Sequence, residues 1–434
     1  MIKRFSGLIF LLGLTVAAFG QSTSMNLQEC LQYAESHNLT LQSGNLDVDV
    51  AEIQLKQAKA RQYPTVSAGL SQSLGYSHGS EALSLGGNYN LNAGIEIFNG
   101  LTIRNSIKQS ELRESMAELQ VTEARDQIRV EIIRTYLTIL MNQEMLEHQR
   151  NVLNTSREQV VQGELRLRAG RILESDYKML QAQYLSDSMS IENTLITITN
   201  EYLTLHDLLN MDYDQAITVV VPDSSRLAQS MQVPDLQIVI QQALDYLPEL
   251  KVKKKAVEIA EYDVKIAKGA YYPSISASAG IGTGYNAAYG SDVHGLTSGL
   301  YKGLGENVGL NVNIPIYRQS EVRNNVKIKN IQVQQAEISL EDAEGDVISE
   351  ITEHHLTVQK AYNDYVLSEL QQEAYYLNFL TYSQKFQHGT ITAVELLQQQ
   401  TNYLNILSNF MQNKYNFLLQ KKVLEVYTGQ AVTL

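Results

Sequence analysis

Four segments of the chain alternate between apolar and small polar side chains. In the first, Val66, Ala68, Leu70, Leu74 and Tyr76 share one parity, against Thr65, Ser67, Gly69, Ser71, Ser73 and Gly75. In the second, Tyr89, Leu91, Ala93, Ile95 and Ile97 oppose Asn88, Asn90, Asn92, Gly94 and Glu96. The third sets Ile275, Ala277, Ala279, Ile281 and Tyr285 against Ser274, Ser276, Ser278, Gly280, Gly282 and Gly284. The fourth sets Val308, Leu310, Val312, Ile314 and Ile316 against Asn307, Gly309, Asn311, Asn313 and Pro315. A period of two puts each set on its own face of a strand. About eleven such residues match a tilted strand that crosses a bilayer. A soluble sandwich with one buried face is the competing reading, but the polar parity carries no charge apart from Glu96, and a soluble sheet usually shows Lys and Glu to water. Tyr63, Tyr76, Tyr89, Phe98, Tyr272, Tyr285 and Tyr317 gather at the segment ends, as an interfacial aromatic girdle requires. Four strands cannot close a barrel, and an open edge in lipid leaves backbone groups unpaired. The pattern therefore predicts completion by further copies of the chain, and three copies supply twelve strands.

Between and after these segments the period changes to that of a helix. Leu112, Met116 and Leu119 form a stripe that Ile128, Ile132, Tyr136 and Leu140 continue, with the spacing of one helical face. Residues 100–160 contain no proline. At 1.5 Å per residue such a stretch makes a rod of roughly 90 Å, which suits a coiled-coil-like array better than a compact core. The pattern predicts breaks only at Gly170 and Gly389, and a helix of about 35 residues before each Tyr-Pro pair, Tyr63-Pro64 and Tyr272-Pro273.

The whole order of elements occurs twice. When Leu27 is laid on Leu236, more than a third of the positions through Ala68 and Ala277 are identical, among them Ala51-Glu52 with Ala260-Glu261 and Tyr63-Pro64 with Tyr272-Pro273. After one insertion in the second copy, Arg104-Asn105 meets Arg323-Asn324 and Gly170 meets Gly389. This is an internal duplication. The expected organisation is a first repeat over 21–211 and a second over 236–434, joined by a linker at 212–235 with a short β-like run at Ala216–Val221. The hairpins fall at about 64–98 and 273–317, and the long helices at about 100–210 and 318–428. Loops at 77–87 and 286–306 are expected to be extracellular, with Ser80 and Ser291 reachable by a tag.

Composition narrows the classes. The chain has 434 residues and a formal net charge of −13, with no basic surplus to replace counterions on a nucleic acid. Its single cysteine, Cys30, excludes an intramolecular disulfide framework, and its alignment with Val239 gives it a small apolar position. Residues 1–20 read as a secretory signal peptide, with Lys3 and Arg4 before the apolar run and Ala18-Phe19-Gly20 at the cut; an N-terminal anchor is the alternative. No later stretch is long and apolar enough for a membrane-spanning helix.

Behind a signal peptide, a duplicated unit of helix, β-hairpin and very long helices resembles the TolC-type outer-membrane efflux family. Leu247-Pro248-Glu249-Leu250 followed by Pro273 is similar to the family's Asn-Pro-Glu-Leu…Leu-Pro pattern, and Asn38-Leu39-Thr40-Leu41 with Pro64 keeps the spacing without the first proline. Ile314-Pro315-Ile316-Tyr317 resembles its Pro-Ile-Phe, with Glu96-Ile97-Phe98-Asn99-Gly100 as a weaker counterpart. Phe386-Gln-His-Gly389 and Leu167-Arg-Ala-Gly170 resemble its helix-breaking turn. The resemblance implies a mostly α chain with membrane β: a homotrimer whose twelve strands form an outer-membrane barrel continuous with a periplasmic α-helical barrel. It implies export of small molecules or proteins without chemistry or cofactor. The partners implied are a periplasmic adaptor (membrane fusion) protein and an inner-membrane RND, ABC or similar pump. A periplasmic coiled-coil adaptor is the rival reading.

The resemblance also places candidate residues. Gly170 and Gly389 become the periplasmic turns, and Tyr63, Pro64, Tyr272, Pro273, Phe98, Pro315 and Tyr317 the helix-to-barrel junctions. Asp176 and Glu395, six residues after the two glycines, become a candidate pore constriction. Helix capping is the alternative for both, since Thr392-x-x-Glu395 has the capping-box spacing. His354-His355 gives no metal site by sequence, because neighbours on a helix point about 100° apart.

Overall fold

The structure is a computed structural model and describes residues 23–78, 82–221, 234–288 and 299–432. The signal-peptide segment, Pro222, Ser80 and Ser291 lie outside the described residues. The first half runs β1 (Thr23–Met25), α1 (Leu27–His37), α2 (Leu39–Ala60), β2 (Thr65–Ser77), β3 (Ala82–Asn99), α3 (Thr102–Arg168), α4 (Glu174–Leu209) and β4 (Ile217–Val219). The second half runs α5 (Leu236–Tyr246), α6 (Pro248–Gly269), β5 (Ser274–Ala288), β6 (Gly305–Asn313), α7 (Glu321–His388) and α8 (Ala393–Tyr427). The helix pairs match almost residue for residue: 67 and 36 residues in the first copy, 68 and 35 in the second.

The chain divides into two compact units, and the long helices contribute to both. One unit comprises Met1–Leu39, Arg125–Val239 and Ile351–Leu434. Its core gathers Cys30 and Ala34 of α1, Ile132, Tyr136 and Leu140 of α3, Leu205 and Leu209 of α4, and Tyr415 and Leu418 of α8. The later part of the stripe read from the sequence, Ile132, Tyr136 and Leu140, is thus a buried face of α3, while Leu112, Met116, Leu119 and Ile128 are half-buried. Burial pushes the Cys30 thiol up to about 12, so the cysteine is an unreactive core residue. The β-like run pairs in parallel with β1, Thr23 opposite Ile217 and Met25 opposite Val219; a three-residue partner has too little pattern to be read in advance.

The other unit comprises Thr40–Ala124 and Ile240–Glu350. It holds an antiparallel sheet in the order β2-β3-β5-β6. The register aligns the four apolar parities across the sheet: Ala68 faces Leu91, Leu91 faces Ile281, and Ala279 faces Val308. On the other face, Gly69 faces Asn90, Asn90 faces Gly282, and Gly280 lies between Asn92 and Asn307. Asparagine amides lie over glycines there: a Cβ on Gly280 would come within 2.7 Å of Asn307 Oδ1 and 2.8 Å of Asn92 Oδ1.

Three sequence expectations need correction. The helix before each Tyr-Pro is two helices, broken at Asn38, whose backbone is extended, and at Leu247, whose ψ of 121° lies outside the helical region. Pro248 explains the second break, because its ring drives the preceding residue out of the helical region. Asn38 makes the first break without a proline, and its side chain donates to Leu208 O at 2.8 Å. The first loop is shorter than 77–87, because β3 starts at Ala82 and pairs through Ser77. The fourth strand ends at Asn313, before Ile314-Pro315-Ile316, where proline has no donor for a ladder.

Candidate functional site

Two places in the chain concentrate unusual geometry, the helix turns at Gly170 and Gly389 and the sheet with its junctions. Each turn is closed by the same pair of bonds. Gly170 N donates to Leu167 O at 2.9 Å and Arg171 N to Arg166 O at 2.8 Å. Gly389 N donates to Phe386 O at 2.9 Å and Thr390 N to Lys385 O at 3.1 Å. This is the Schellman arrangement, which needs a left-handed residue at its centre, and the two glycines have φ of 66° and 76°. The turns are joined within one chain. Arg166 Nη2 donates to Gln387 O at 2.7 Å, and its guanidinium lies 4.6 Å from the centroid of the Phe386 ring. Beneath them, Leu180, Phe379, Phe386, Leu396, Tyr403 and Leu407 form a core of their own.

Asp176 and Glu395 are the third residues of α4 and α8. Thr392 N and Thr392 Oγ1 donate to Glu395 Oε2 at 2.8 and 2.9 Å, and Glu395 N donates back to Thr392 Oγ1 at 3.2 Å. That is a complete capping box. The bonds from Thr392 hold the Glu395 carboxyl below the usual carboxylate range. Its contribution to the cap is therefore present above the ordinary carboxylate pKa and is lost as pH falls through the lowered one. In α4 only half of the box exists: Leu173 N donates to Asp176 Oδ2 at 3.4 Å, and Leu173 has no capping side chain. Glu395 is exposed and Asp176 half-buried, each in the first turn of its helix at the positive end, so capping and a charged entrance are compatible.

A buried polar cluster that the sequence reading missed ties α3, α4 and α8 together. Asp187 Oδ2 accepts from Ser156 Oγ at 2.5 Å and from Gln400 Nε2 at 2.8 Å, while Oδ1 accepts from Gln183 Nε2 at 2.8 Å. Ser156, Asp187 and Gln400 are all buried. The only available signal was three polar residues on otherwise apolar helical faces. Burial raises the Asp187 pKa, against the lowering effect of its three donors. A raised carboxylate pKa means the folded state binds the extra proton, so this group destabilises the fold as pH rises from the ordinary to the raised value. Asp187→Ala is expected to lower the denaturation midpoint, at about 1–3 kcal/mol for the buried donors left unmatched. It should also remove this acid-favouring component from the stability profile. A mutant with wild-type midpoints across pH 4–7 would contradict the account.

The histidine pair has ordinary roles: His355 Nε2 lies 2.8 Å from Pro234 O, and the His354 ring tilts against Tyr427.

On the apolar face of the sheet, the one polar exception in β2 is Gln72. It is bound to Tyr285 OH at 2.7 Å and to Tyr89 OH, and Tyr285 covers Gly87, where a Cβ would meet its ring at 2.3 Å. Such an amphipathic tyrosine cluster is what a membrane–water boundary favours. The junction residues Tyr63, Tyr272 and Tyr317 are exposed, with Pro64 exposed and Pro273 half-buried in the two turns. Phe98 reaches the apolar face through a bulge after Glu96 that sets it opposite Ile275. Pro315 follows the end of β6. The entry to each long helix carries two consecutive left-handed residues, Gly100 and Leu101 (φ 65° and 66°) and Gln319 and Ser320 (φ 45° and 64°). At the first entry two backbones touch: a Cβ on Gly100 would lie 2.2 Å from Gly269 O. The second pair has no glycine, which is why the sequence did not mark it.

The comparisons with known proteins agree with this architecture. The family described as outer membrane efflux protein matches residues 30–210 and 239–430. Among solved structures, CusC, studied for conformational changes accompanying folding and transmembrane channel formation, superposes with a TM-score of 0.80 at 18% identity, over 93% of this chain and 92% of that one. The CmeC outer membrane channel of Campylobacter jejuni gives 0.76 at 16% identity over 93% and 85%. The open state of the MtrE outer membrane channel of Neisseria gonorrhoeae gives 0.77 at 16% over 93% and 89%. Comparison with the curated proteins gave no match. With the profile covering both repeats, the chain belongs to the outer membrane efflux protein family, as an outer-membrane export channel with its helical tunnel in the periplasm.

Proposed function

We propose that three copies of this chain close one twelve-stranded barrel in the outer membrane, continued by a helical tunnel, and pass cargo delivered by a periplasmic adaptor and an inner-membrane pump. The observation that carries this reading is the sheet's unpaired outer strands. β2 and β6 lie at opposite ends of a four-stranded antiparallel order, so β6 of one copy can continue antiparallel onto β2 of the next. Lipid gives no partner to an open edge, and head-to-tail joining closes into a ring. Glu306 adds to the argument. It falls on the apolar face opposite Ile281, at the sheet's outer strand, where a neighbouring copy covers it better than lipid does.

The helices support the same stoichiometry-building contact. Leu185, Met189, Ile196 and Leu203 form an exposed stripe on α4, spaced by four and seven residues. Leu356, Leu367, Leu370 and Leu377 form another exposed stripe on α7, spaced by eleven, three and seven residues. Stripes of that period pack against one another across rods. The rival reading, a periplasmic adaptor, lacks a reason for a membrane-length sheet and for the family match. The protein should pellet with outer membrane, run as a heat-modifiable trimer on gels and conduct in planar bilayers. A monomer without conductance would defeat the proposal.

The entrance belongs to the same proposal. Three chains bring three Asp176 and three Glu395 to the periplasmic tips. A ring of carboxylates attracts cations, and the capping bonds keep Glu395 ionised. The channel is therefore expected to prefer cations and to be blocked by multivalent cations from the periplasmic side. Replacing Asp176 and Glu395 by alanine should weaken that block in single-channel recordings and leave the trimer intact, at about 1 kcal/mol per cap. Unchanged selectivity and block would leave only the capping role.

A further inference from the structure

The four helix ends that adjoin the sheet carry an excess of positive charge. In the stretches 56–64, 100–110, 265–273 and 317–327, ten of the chain's 34 Lys and Arg meet only one of its 47 Asp and Glu. The chain as a whole has a net charge of −13, so the bias is local. Six of these cations recur at matching places in the two repeats: Lys59 with Lys268, Arg104 with Arg323, and Lys108 with Lys327. All six are exposed. Lys108 is paired with Glu111 at 2.6 Å. Among the described residues, Lys59, Lys268, Arg104, Arg323 and Lys327 have no ion pair.

Helix dipoles account for only part of this. Lys59 and Lys268 stand in the last turns of α2 and α6, where a cation is favoured. Arg104 and Arg323 are the third residues of α3 and α7, at positive helix ends that disfavour them. The α3 end has no acid in its first turn to offset Arg104. The four ends thus gather cations whatever their dipole, as a surface facing an external anion does.

The position of the cations identifies that anion. Lys59 and Lys268 lie four residues before the exposed Tyr63 and Tyr272, and Arg104 and Arg323 lie six residues after Phe98 and Tyr317. They are thus within about two helical turns, roughly 11 Å, of aromatic residues of the kind that mark a membrane boundary. Headgroups fill about 5–7 Å beyond the hydrocarbon on each side of a bilayer. Every helix that meets the sheet carries the charge, so it follows the sheet's whole width. A lipid leaflet presents anions along a whole circumference, whereas a docked protein presents them at one patch.

We propose that these helix ends form a basic collar that binds the phosphate groups of anionic phospholipids in the periplasmic leaflet of the outer membrane. The inference rests on the membrane barrel proposed above and adds a headgroup site to it. Lys and Arg beside a membrane surface are drawn to anionic lipid, and guanidinium forks match phosphate oxygens. The lipid supplies Arg104 with the anion that its own helix end lacks.

The test reconstitutes the full chain in phosphatidylcholine vesicles with a trace of spin-labelled phosphatidylglycerol or spin-labelled phosphatidylcholine. The motionally restricted fraction of each label gives its relative affinity for the protein. Phosphatidylglycerol should be preferred, at about fivefold per headgroup site. Salt at about 1 M, with a Debye length of about 3 Å, should abolish the preference without any mutation. Changing Lys59, Lys268, Arg104 and Arg323 together to Gln should abolish it at low salt. Exchanging the same four between Lys and Arg keeps the charge and should keep the preference. Arg150→Gln with Arg157→Gln, further along α3, should also leave it intact. Equal binding of the two labels to a conducting preparation would overturn the collar and leave the barrel standing. A preparation that neither inserts nor conducts would take both down. A Gln variant that keeps the lipid preference but changes ion selectivity would place the cations on the lumen and overturn the collar. Release of the labelled lipid by inorganic phosphate would overturn the lipid assignment in favour of free phosphate. Pelleting with isolated peptidoglycan that depends on the four cations, without lipid preference, would overturn it in favour of the cell wall.

Discussion

Gly100→Ala is expected to disrupt the channel more than any other single methyl added to the turns described above. Its Cβ would stand 2.2 Å from Gly269 O and 2.9 Å from Gly269 C and Cα. These are backbone atoms, which cannot rotate aside. The position also has φ 65°, where a side chain costs about 1–2 kcal/mol. Overpacking of a tight contact adds about 1–3 kcal/mol, giving a loss of about 2–5 kcal/mol. Gly170→Ala is the matched control: its φ is 66° but nothing lies within 4 Å of the added carbon. It should lose only the conformational part. Denaturant midpoints of the two purified variants, with their yields in the outer membrane, measure the difference. Equal losses would mean that Gly100 and Gly269 do not touch in the assembled protein.

Leu91→Arg should come next. Leu91 sits in the row Ala68, Leu91, Ile281 on the apolar face. A cation on the lipid side of a barrel near mid-bilayer costs about 2–4 kcal/mol, so the variant should assemble poorly. Asn90→Arg is on the opposite face, flanked by Gly69 and Gly282, where a long side chain has room over missing side chains and access to water. It should be recovered at closer to wild-type levels. Trimer yield on unheated gels reports both, and equal yields would refute the face assignment.

The strands were legible because alternation is a statement about faces, and the register needed only to keep those faces together. The turns at Gly170 and Gly389 were legible because a left-handed residue at a helix end usually selects glycine. The break at Asn38 was not, since nothing in Asn38-Leu39 forbids a helix, and its bond to Leu208 comes from far along the chain. Nor was the end of β6, where Ile314 and Ile316 continue the alternation although Pro315 has no donor. The Asp187 cluster is assembled from three helices, so no local window contains it. Glu306 escaped because the alternation was traced from Asn307 onward, and only the pairing with Ile281 reveals its face. At the entrance, sequence alone gave Asp176 and Glu395 two roles, and the geometry adds a complete cap at Glu395 but only half of one at Asp176.

The unequal outer strands have a genetic consequence. β2 offers 13 residues and β6 only 9, and in a head-to-tail ring each copy is needed at two seams. A subunit crippled at β6 alone, by a proline for example, still presents an intact β2 and can recruit a healthy neighbour. If the ring has three copies, as proposed, co-expression in equal amounts with wild type would leave about one ring in eight free of a defective seam. The mutation should therefore behave as dominant, whereas one that removes both edges leaves a bystander and should be recessive.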